Sequence, residues 1–568
     1  MINFYDYEVF KYNWLVVIIN PANRTETVIV DDPEKLAEYQ ATHQNEIWIG
    51  YNNNHYDQYI HKGILCRFDP KKINDFIITD KKFGWQFSSL FRKIPMINYD
   101  VATRIDGGLK SLEGFMGNNI KETSVPFDID RPLTQEEIEE VKKYCEHDVE
   151  QTVQVFLERK ADFEAQMGLI KMFNLPLRFI SKTKAQLSAA ILEARKKEHN
   201  DEFDIDFPKT LRLSKYTQVL EWYENLNNRD YSKSLTLTVT GVETQFGWGG
   251  IHSARNKYFG TGYFLNMDVA SLYPSLMIKY DLHSRNIKDP QKFVDIYQTR
   301  LKYKAAKNPL QAPLKIVINS TYGCMKDKNN PLYDPLMANK VCIYGQLLPL
   351  DLIEKLENHC EIVQSNTDGI LIRKPDGITI DDFYSKIDDI VYEWEQRTGL
   401  QMEFDEYTKV MQKDVNNYIV VAPDGHYKSK GAYVKKLGRL DFDLAIVNKA
   451  VVDYLTKNIP VDQTINACND LIMFQKIVKV SGKYKQGCYN GGVQNERCFR
   501  VFASTRTSDG FIGKQKTDGA TIEKFANTPD HCFIYNDDVH GVKCLEKLDK
   551  QWYIDLAKKR LGQFGVIV

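Results

Sequence analysis

The sequence predicts a protein of several domains that combines the α/β and α+β classes. Its 568 residues exceed the usual size of one domain and correspond to about three or four. The N-terminal third alternates strand-like and helix-like segments, which is typical of an α/β domain. Farther along, two strand-like segments with aspartates at their ends flank a pair of basic helices, which favours an α+β arrangement.

The composition is that of a globular protein in a reducing compartment. The hydrophobic content is 43%, and no run of 18 apolar residues indicates a membrane span. The first residues are mixed in character and strand-like, so we expect no secretory leader. The ten cysteines form no C-x-x-C pair, which disfavours a zinc site and fits a reduced cytosol. These features predict a cytoplasmic protein without a membrane partner.

The net charge of −1 does not by itself indicate a protein that binds nucleic acid. The positive charge is instead local: residues 291–330 carry eight lysines and arginines against two aspartates. Such a run is most often the solvated face of a helix, and that interpretation stays open until a motif decides otherwise.

Acidic residues recur at three places in the N-terminal region. Residues 2–19 and 25–30 are strand-like, and strand alternation places Asp6 and Glu8 on one face, where they repel each other unless a cation lies between them. A strand at 46–51 precedes an Asn-rich helix start that includes Asp57, although such a turn often serves only as a cap.

The third place is a helix that begins with a capping box at Thr134–Glu137. We expect this helix to continue to about Met167. Tyr144 and Asp148 are four residues apart and therefore lie on one face of it.

In order, these patterns resemble the three motifs of the 3′→5′ proofreading exonuclease that precedes the polymerase in family B DNA polymerases. The resemblance implies a ribonuclease-H-like domain in which four carboxylates surround two metal ions and activate water: Asp6, Glu8, Asp57 and Asp148. It further implies that Tyr144 orients the attacking water, that Asn53 and Tyr56 contact DNA, and that Lys121 neutralises the scissile phosphate. The open alternative is a ribonuclease-H-like scaffold whose acids only lie on the surface.

A second acidic pair lies in the other half of the chain. Residues 262–269 form a buried strand that carries Asp268 near its end, and 271–275 then turn into an apolar helix. Because Mg²⁺ binds few protein carboxylates and fills its other positions with water and phosphate, one aspartate needs a second one. Asp368, at the polar tip of a predicted hairpin within 361–372, is the candidate. Either residue alone would be a cap or turn residue.

Three stretches carry a second resemblance to family B DNA polymerases. Residues 268–275 resemble the first catalytic motif, 315–323 the second and 366–368 the third, with Asn366 where the family usually has an aspartate. The resemblance implies that Asp268 and Asp368 hold two Mg²⁺, with Mn²⁺ as an acceptable substitute and the Val269 carbonyl assisting. An asparagine ligates only weakly, so Asn366 bears on metal affinity and not on the reaction class.

The basic residues then resemble the fingers of the family. A helix over about 290–307 and a second over 315–323 are joined by a turn that we expect at Pro309 and Pro313. The resemblance assigns the triphosphate to three cations, the sugar and nascent base pair to two further side chains, and exclusion of a 2′-hydroxyl to one tyrosine. In that order these are Arg300, Lys304 and Lys315; Asn319 and Tyr322; and Tyr273. The open alternative is a solvated helix pair anchored by a core tyrosine.

Two further stretches resemble DNA-contacting motifs of the family. Gly249 and Gly250, within 245–252, resemble a Gly-Gly motif that contacts template, and Arg255 and Lys257 just beyond favour a phosphate contact. Lys428, Lys430 and Tyr433 resemble a Lys-x-Tyr motif that binds the primer end, with one residue of extra spacing. A glycine-rich hairpin turn and a basic strand edge are the respective alternatives.

The combined resemblance implies a template-directed DNA polymerase of the phage type with a proofreading exonuclease, acting on a phage or similar genome in its host's cytoplasm. Its right-hand domains follow the nuclease: 1–170 exonuclease, 171–254 connector and start of palm, 255–290 palm, 291–330 fingers, 331–440 palm, and 441–568 thumb. The implied partners are primer-template DNA and deoxynucleoside triphosphates.

Only about 40 to 45 residues separate the three polymerase motifs from one another, which leaves little room for the insertions of protein-primed relatives. We therefore expect a monomer that extends an ordinary primer and relies on a helicase, processivity factor or single-strand-binding protein. Two other classes stay open: a nuclease whose polymerase half only grips DNA, and a non-enzymatic single-strand binder.

Overall fold

The computed structural model describes residues 1–250 and 252–566. Ile251, which belongs to the glycine-rich stretch 245–252, lies outside the described residues. Among the described residues the strands are, in chain order, β1 Ile2–Val9, β2 Trp14–Asn20, β3 Thr25–Val30, β4 Ile47–Gly50, β5 Ile97–Asp100, β6 Ser234–Val239, β7 Val242–Gly247, β8 His252–Ala254, β9 Tyr258–Val269, β10 Glu361–Ser365, β11 Gly369–Arg373, β12 Met402–Asp414, β13 Asn417–Val421, β14 Tyr427–Lys430, β15 Lys476–Lys479, β16 Tyr484–Tyr489, β17 Gly492–Gln494, β18 Cys498–Ala503, β19 Ile512–Lys516, β20 Ile522–Lys524 and β21 Cys532–Ile534.

Helices account for most of the remaining regular structure. In the same part of the chain the α-helices are α1 Pro33–His43, α2 Asp57–Leu65, α3 Pro70–Asn74, α4 Leu109–Met116, α5 Gln135–Glu158, α6 Lys160–Met172, α7 Lys184–Ile191, α8 Gln218–Glu224, α9 Leu272–Lys279, α10 Pro290–Ala305, α11 Gln311–Met325, α12 Pro335–Leu356, α13 Ile380–Thr398, α14 Ala445–Lys457, α15 Val461–Ala467 and α16 Lys550–Gln563. None of these helices combines the length and the apolar character that a membrane span requires. All ten cysteines lie among the described residues, and each is a free thiol.

The chain divides into two compact units, and each unit is assembled from three segments. The first comprises Met1–Lys182, Leu437–Ile446 and Asn466–Tyr553, and the second comprises Thr183–Lys436, Val447–Ile465 and Ile554–Val568. Most of the region predicted as a thumb, 441–568, thus packs with the N-terminal segment. The further division into palm, fingers and thumb stays a prediction.

The N-terminal part of the first unit is built on a five-stranded sheet with the order β3-β2-β1-β4-β5. The strands β1, β2 and β3 are antiparallel neighbours, whereas β4 and β5 run parallel to β1. Trp48 and Tyr5 are buried in its core. The predicted strands over 2–19 and 25–30 are confirmed, and they place Asp6 and Glu8 on the central strand.

The helix that begins at Thr134 has the predicted capping box, but it does not continue to Met167. It ends at Glu158, and α6 begins two residues later. Arg159 between them leaves helical geometry, and its guanidinium donates two hydrogen bonds of 2.8 Å to the Asp106 carboxylate.

The C-terminal segment of the first unit consists mainly of strands. A three-stranded antiparallel sheet has the order β15-β18-β21, and a four-stranded one has the order β17-β16-β19-β20. Phe499, Val501 and Ile512 are buried in the cluster that these strands form.

The second unit is organised around a nine-stranded antiparallel sheet with the order β14-β13-β12-β9-β11-β10-β8-β7-β6. The predicted hairpin within 361–372 is confirmed as β10-β11, and β13 and β14 form a second hairpin around Pro423–Gly425. The two basic helices are α10 and α11. Pro313 lies inside α11 and not in the turn as predicted, because proline is tolerated in the first turn, where its missing N–H has no intrahelical partner.

Two candidate acidic sites

The first candidate site lies in the first unit, where β1, α2 and α5 meet. Oxygen atoms of Asp6 and Glu8 on β1 and the Cys145 thiol on α5 all lie within 4.8 Å of one another. Asp57 is the first residue of α2, and its Oδ1 accepts a hydrogen bond of 3.3 Å from the Tyr7 backbone N–H. The structure therefore brings carboxylates from all three predicted motifs to one place, since Asp148 on α5 also raises the pKa of Asp6 and Glu8.

Burial and mutual repulsion dominate the electrostatics of this site. Glu8, Asp57 and Asp148 are all buried. Removal from water raises the pKa of Asp57 to about 7 and that of Asp148 to about 6. Burial and then neighbouring carboxylates raise the pKa of Asp6 and of Glu8 well above their usual range. Divalent cations that favour oxygen ligands would relieve this repulsion, so the donor set fits Mg²⁺ or Mn²⁺.

One cation at this site was missed by sequence reasoning. The Lys110 ammonium on α4 lies 2.7 Å from Asp148 Oδ1 and 3.2 Å from Glu113 Oε2, and it stands 4.6 Å from the centre of the Tyr144 ring. Glu113 is fully buried. The only local signal is the spacing of Lys110 and Glu113 by three residues on an amphipathic helix.

Lys121, predicted to neutralise the scissile phosphate, is not part of this cluster. Its ammonium forms an exposed ion pair of 2.5 Å with Asp537. Lys110 is the lysine that the structure places among the carboxylates, because α4 and not the loop after it packs against α5.

The remaining predicted residues of the first site surround the carboxylates. The Tyr144 hydroxyl donates a hydrogen bond of 2.9 Å to Glu122. The Tyr56 hydroxyl donates one of 2.8 Å to Asn74. Asn53 is fully buried, and its amide donates to Asn98 and to the Tyr99 carbonyl. Asn53 therefore holds the turn before Asp57, and a direct DNA contact would require it to leave this buried position.

The second candidate site lies at the edge where β9 and β11 pair. Asp268 on β9 is opposite Gly369 on β11, and the Val269 N–H donates a hydrogen bond of 2.7 Å to the Asp368 carbonyl. Both aspartates line one cavity of about 270 Å³. A Cβ atom at Gly369 would lie 1.9 Å from Asp268 Oδ1, so only glycine leaves this carboxylate its place. The two distant aspartates are thus neighbours, as the sequence predicts.

This second site is more open than the first. Asp268 is half-buried and Asp368 is exposed. Burial and then the charge of Asp368 raise the pKa of Asp268 to about 6, while a hydrogen bond of 2.8 Å donated by Asn266 opposes this shift. Carboxylate and amide oxygens again suit a hard divalent cation.

A third carboxylate in the cavity was also missed. Asp405 on β12 lies opposite Asn266 and raises the pKa of Asp268. It accepts a hydrogen bond of 2.8 Å from Lys428, one of the lysines predicted to contact the primer. Lys430 is exposed and lines the same cavity. The period-2 spacing of Asp405 and Tyr407 is the only local signal of this arrangement.

Asn366 closes the tip of the β10-β11 hairpin. Its backbone N–H donates a hydrogen bond of 2.8 Å to the Gly369 carbonyl, and its side-chain oxygen accepts one of 3.0 Å from the Thr367 N–H. The residue also lines the cavity. The amide therefore stabilises the turn that presents Asp368.

The helices α10 and α11 supply most of the predicted nucleotide-binding groups. Tyr322 on α11 stacks on Tyr273 of α9 with 4.1 Å between ring centres. Lys315 and Asn319 on α11 are exposed. The exposed Lys304 ammonium lies 3.9 Å from Glu403. Arg300 differs from the other cations because it is only 8% exposed, and its buried Nε has no hydrogen-bond acceptor among the described residues.

The other predicted DNA contacts fall into exposed and internal positions. Gly249 is exposed, and its carbonyl accepts hydrogen bonds from Gln346 and Cys342, while Gly250 is half-buried. The Arg560 guanidinium lies over the Tyr433 ring at 4.8 Å.

Arg255, for which a phosphate contact was predicted, instead bonds within the protein. Its Nε donates a hydrogen bond of 2.8 Å to the Ile362 carbonyl, and Glu361 lies 3.4 Å away. The guanidinium therefore fixes the β8-β10 edge, which the formal charge alone did not reveal.

Fold and sites together define a mixed α/β protein with two acidic oxygen-ligand sites, one in each compact unit. Comparisons with known proteins indicate which members of this class the chain is similar to. No protein-family model matches the chain. The chain is, however, similar in sequence to archaeal proteins named DNA polymerase 1.

The similarity is partial in identity and in length. DNA polymerase 1 of Sulfurisphaera ohwakuensis is 28% identical over 202 residues, which cover 34% of this chain and 21% of the relative. DNA polymerase 1 of Saccharolobus solfataricus is 24% identical over 294 residues, covering 43% and 32%. DNA polymerase 1 of Aeropyrum pernix is 24% identical over 228 residues, covering 33% and 23%. The matches thus span between about a fifth and a third of these relatives' length.

A solved family B DNA polymerase from Pyrobaculum calidifontis aligns with 99% of this chain and 77% of its own, at 12% identity and a TM-score of 0.42. This score lies below the level that indicates a shared fold. Evidence for a function therefore comes from the sequence matches and from the two sites.

Proposed function

We propose that this protein is a template-directed DNA polymerase of family B with a 3′→5′ proofreading exonuclease. The observation that carries the polymerase assignment is the pairing of β9 with β11, which brings Asp268 and Asp368 together at one cavity from a hundred residues apart. The sequence similarity to archaeal DNA polymerases supports the same assignment.

In the polymerase reaction a primer 3′-hydroxyl attacks the α-phosphate of a deoxynucleoside triphosphate. Asp268, Asp368 and the Val269 carbonyl would hold two Mg²⁺, or Mn²⁺ in their place. Bound cations of this kind activate the hydroxyl and neutralise charge on the leaving phosphate. Lys304, Lys315 and Arg300 offer the triphosphate positive charge, which phosphoryl transfer needs more than covalent help.

Other side chains of the second unit select and align the substrate. The stacked pair of Tyr273 and Tyr322 forms a rigid wall for the sugar and the nascent base pair, and it crowds a 2′-hydroxyl. Asn319 on the same helix as Tyr322 contacts the sugar. Lys430, with Lys428 and Tyr433 nearby, receives the primer end, and Gly249 and Gly250 let the template backbone come close.

In the exonuclease reaction water attacks the terminal phosphodiester of a single strand. Asp6, Glu8, Asp57 and Asp148 would hold two divalent cations, and Tyr144 would orient the water. The order of the five-stranded sheet supports a ribonuclease-H-like domain for this reaction. Lys110 keeps Asp148 ionised and in place.

The wider proposal concerns the biological setting. Primer-template DNA and deoxynucleoside triphosphates are the substrates, and a helicase or processivity partner supports long synthesis. A phage or similar mobile element in its host's cytoplasm is the proposed replicon, and motif resemblance alone supports this part.

Two assays on the purified protein test the proposal. We expect incorporation of deoxynucleotides on a primed template with Mg²⁺, and removal of a labelled 3′-mismatched nucleotide before extension. Absence of incorporation under both Mg²⁺ and Mn²⁺ would remove the polymerase assignment. Retention of the mismatch would remove the nuclease assignment, and the two results are independent of each other.

A further inference from the structure

We propose that the C-terminal segment 466–553 is a working part of the nuclease site, and that Arg500 is a positioning residue that holds α4 and thereby Lys110 against Asp148. This inference rests on the nuclease activity proposed above. It adds to that activity a requirement for residues that follow the polymerase motifs in the sequence.

The end of α4 receives its hydrogen bonds from the C-terminal segment. The last carbonyls of a helix have no intrahelical donors and need partners from elsewhere. Arg500 donates to the carbonyl of Gly114 in the last turn of α4 at 3.3 Å, and to that of Asn118, two residues beyond the end of the helix, at 2.7 Å. Gln475 donates to the Phe115 carbonyl at 3.1 Å, and the Val539 N–H donates to the Gly117 carbonyl at 3.0 Å. Each of these donors belongs to the C-terminal segment.

Arg500 lies in an unusual environment for a charged side chain. Its side chain is fully buried, and within the described part of the chain its guanidinium donates to uncharged oxygens: the carbonyls of Gly114, Asn118, Tyr535 and Asp537 and the side-chain amide of Gln475. A buried charge without a carboxylate partner is costly, and an apolar side chain would fill the space at lower cost. The negative end of the α4 dipole and the carbonyls compensate part of that cost. The geometry is therefore suited to holding one end of α4 in a fixed position.

The contacts at the end of α4 also determine where Lys110 lies in the acidic site. The helix α4 has only eight residues, and a helix of this length depends on tertiary contacts for its stability. Ile477 packs against Gly114, where a Cβ atom would come within 3.0 Å, and the Cys498 thiol contacts the Lys110 carbonyl at 3.5 Å. From the same helix the Lys110 ammonium pairs with Asp148 as well as with Glu113. Displacement of α4 would move the ammonium that neutralises Asp148.

A kinetic comparison of matched arginine variants tests the proposal on the full-length protein. Arg497 is the control, because among the described residues its guanidinium donates to carbonyls of its own segment alone, those of Val480, Ser481, Tyr484 and Lys485. We expect Arg500→Met to lower kcat for digestion of a single-stranded oligonucleotide by about 100-fold, the cost of a misplacement of about 1 Å, with KM changed much less. Arg497→Met should digest at nearly the wild-type rate. Equal rates for the two variants would overturn the proposal.

A double-mutant cycle separates positioning from general loss of structure. If Arg500 acts through Lys110, then Lys110→Gln combined with Arg500→Met should be no slower than Lys110→Gln alone, since coupled residues are not additive. Multiplicative losses would overturn the proposal. If the melting temperature of Arg500→Met is far below that of Arg497→Met, Gln475→Leu is used as the milder variant. We expect Gln475→Leu to lower kcat by about 10-fold and to show the same non-additivity with Lys110→Gln.

The wild-type arm distinguishes this inference from the function on which it rests. If the wild-type protein digests no single strand, both the proposed nuclease function and the role of the C-terminal segment are wrong. A wild-type protein that digests, an Asp57→Ala variant that does not, and an Arg500→Met variant that equals wild type would end only the role of the C-terminal segment.

Discussion

Both acidic sites bring carboxylates close together, but the two sites differ in how far those carboxylates are removed from water. In the first unit Glu8, Asp57 and Asp148 are buried, so each carboxylate loses most of its solvation. In the second unit Asp368 is exposed and only Asp268 is held back from water. A buried acidic cluster depends on its cations for stability as well as for activity, whereas an open one depends on them mainly for activity.

The lysines of the two sites show the same contrast. Lys110 bonds directly to Asp148, one of the carboxylates proposed to hold metal. Lys428 bonds to Asp405, which neighbours Asp268 but is not one of the two proposed metal ligands. The proposed nuclease site thus has a lysine in direct contact with one of its proposed metal ligands, whereas the lysine of the proposed polymerase site contacts a carboxylate next to such a ligand. We expect the nuclease site to be the more sensitive of the two to loss of its lysine.

The largest expected effect is the separation of the two activities by single substitutions. Asp57→Ala should reduce digestion of a single strand by at least about 1,000-fold and leave primer extension nearly unchanged, because it removes one of the buried oxygen ligands. Asp268→Ala should do the reverse. Gel assays of extension and digestion on the same preparations check this, and a variant that loses both activities would contradict the division into two sites.

The next effect compares the lysines. Lys110→Gln should lower the exonuclease kcat by about 100-fold, because Asp148 loses a direct partner in a buried site. Lys428→Gln should lower primer extension by about 10-fold or less, because its partner is exposed to water. Lys110→Arg and Lys428→Arg, which retain the charge, are the controls. A larger loss for Lys428→Gln than for Lys110→Gln would reverse the comparison.

A smaller but local effect is expected at Gly369. The new methyl group of Gly369→Ala would collide with Asp268 Oδ1, so we expect primer extension to fall by about 10-fold to 100-fold with digestion unchanged. Gly562→Ala on α16 is the matched control, because a Cβ atom there meets nothing within 4 Å. Unchanged extension by Gly369→Ala would show that the Asp268 carboxylate has freedom to move.

The smallest effect concerns stability against pH. Burial raises the pKa of Asp57 to about 7 and that of Asp148 and Asp268 to about 6. A raised carboxyl pKa means that the folded state holds the proton more tightly, so the stability that this provides is present at low pH and is lost as the pH rises toward 7. Divalent cations bind the ionised form, and their stabilisation should therefore grow over the same range.

Melting temperatures in chelator and in MgCl₂ measure this linkage. We expect Mg²⁺ to raise Tm by about 2–4 °C more at pH 8 than at pH 5. Asp57→Asn should raise Tm in chelator at pH 8 and diminish the response to Mg²⁺, because it removes a charge that repels its neighbours. A stabilisation by Mg²⁺ that is the same at both pH values would contradict the buried character of the first site.

Local patterns in the sequence predicted the strand pairs, the capping box at Thr134 and the positions of the main acids. These features depend on spacing within one element, and spacing is visible in a sequence. The motif resemblance connected Asp268 with Asp368, which no local pattern could do. The break at Arg159 was not predicted, and the Asp106 carboxylate to which Arg159 donates lies more than 50 residues away in the chain.

The missed site residues have a common physical reason. Lys110 and Asp405 owe their positions to packing between distant elements, α4 against α5 and β12 against β9. Each side chain looks like an ordinary surface charge in its own segment. The charge of Arg500 likewise suggests an exposed side chain, yet this side chain is fully buried.

Affinity cleavage with Fe²⁺ tests the sharing of cations by Asp268 and Asp368 most directly. Fe²⁺ in place of Mg²⁺, with ascorbate and peroxide, cuts the backbone near the site that binds it. The account predicts cuts near both residue 268 and residue 368, and their joint loss in Asp268→Asn. Cuts near only one of the two aspartates, or cuts near 368 that persist in Asp268→Asn, would contradict it.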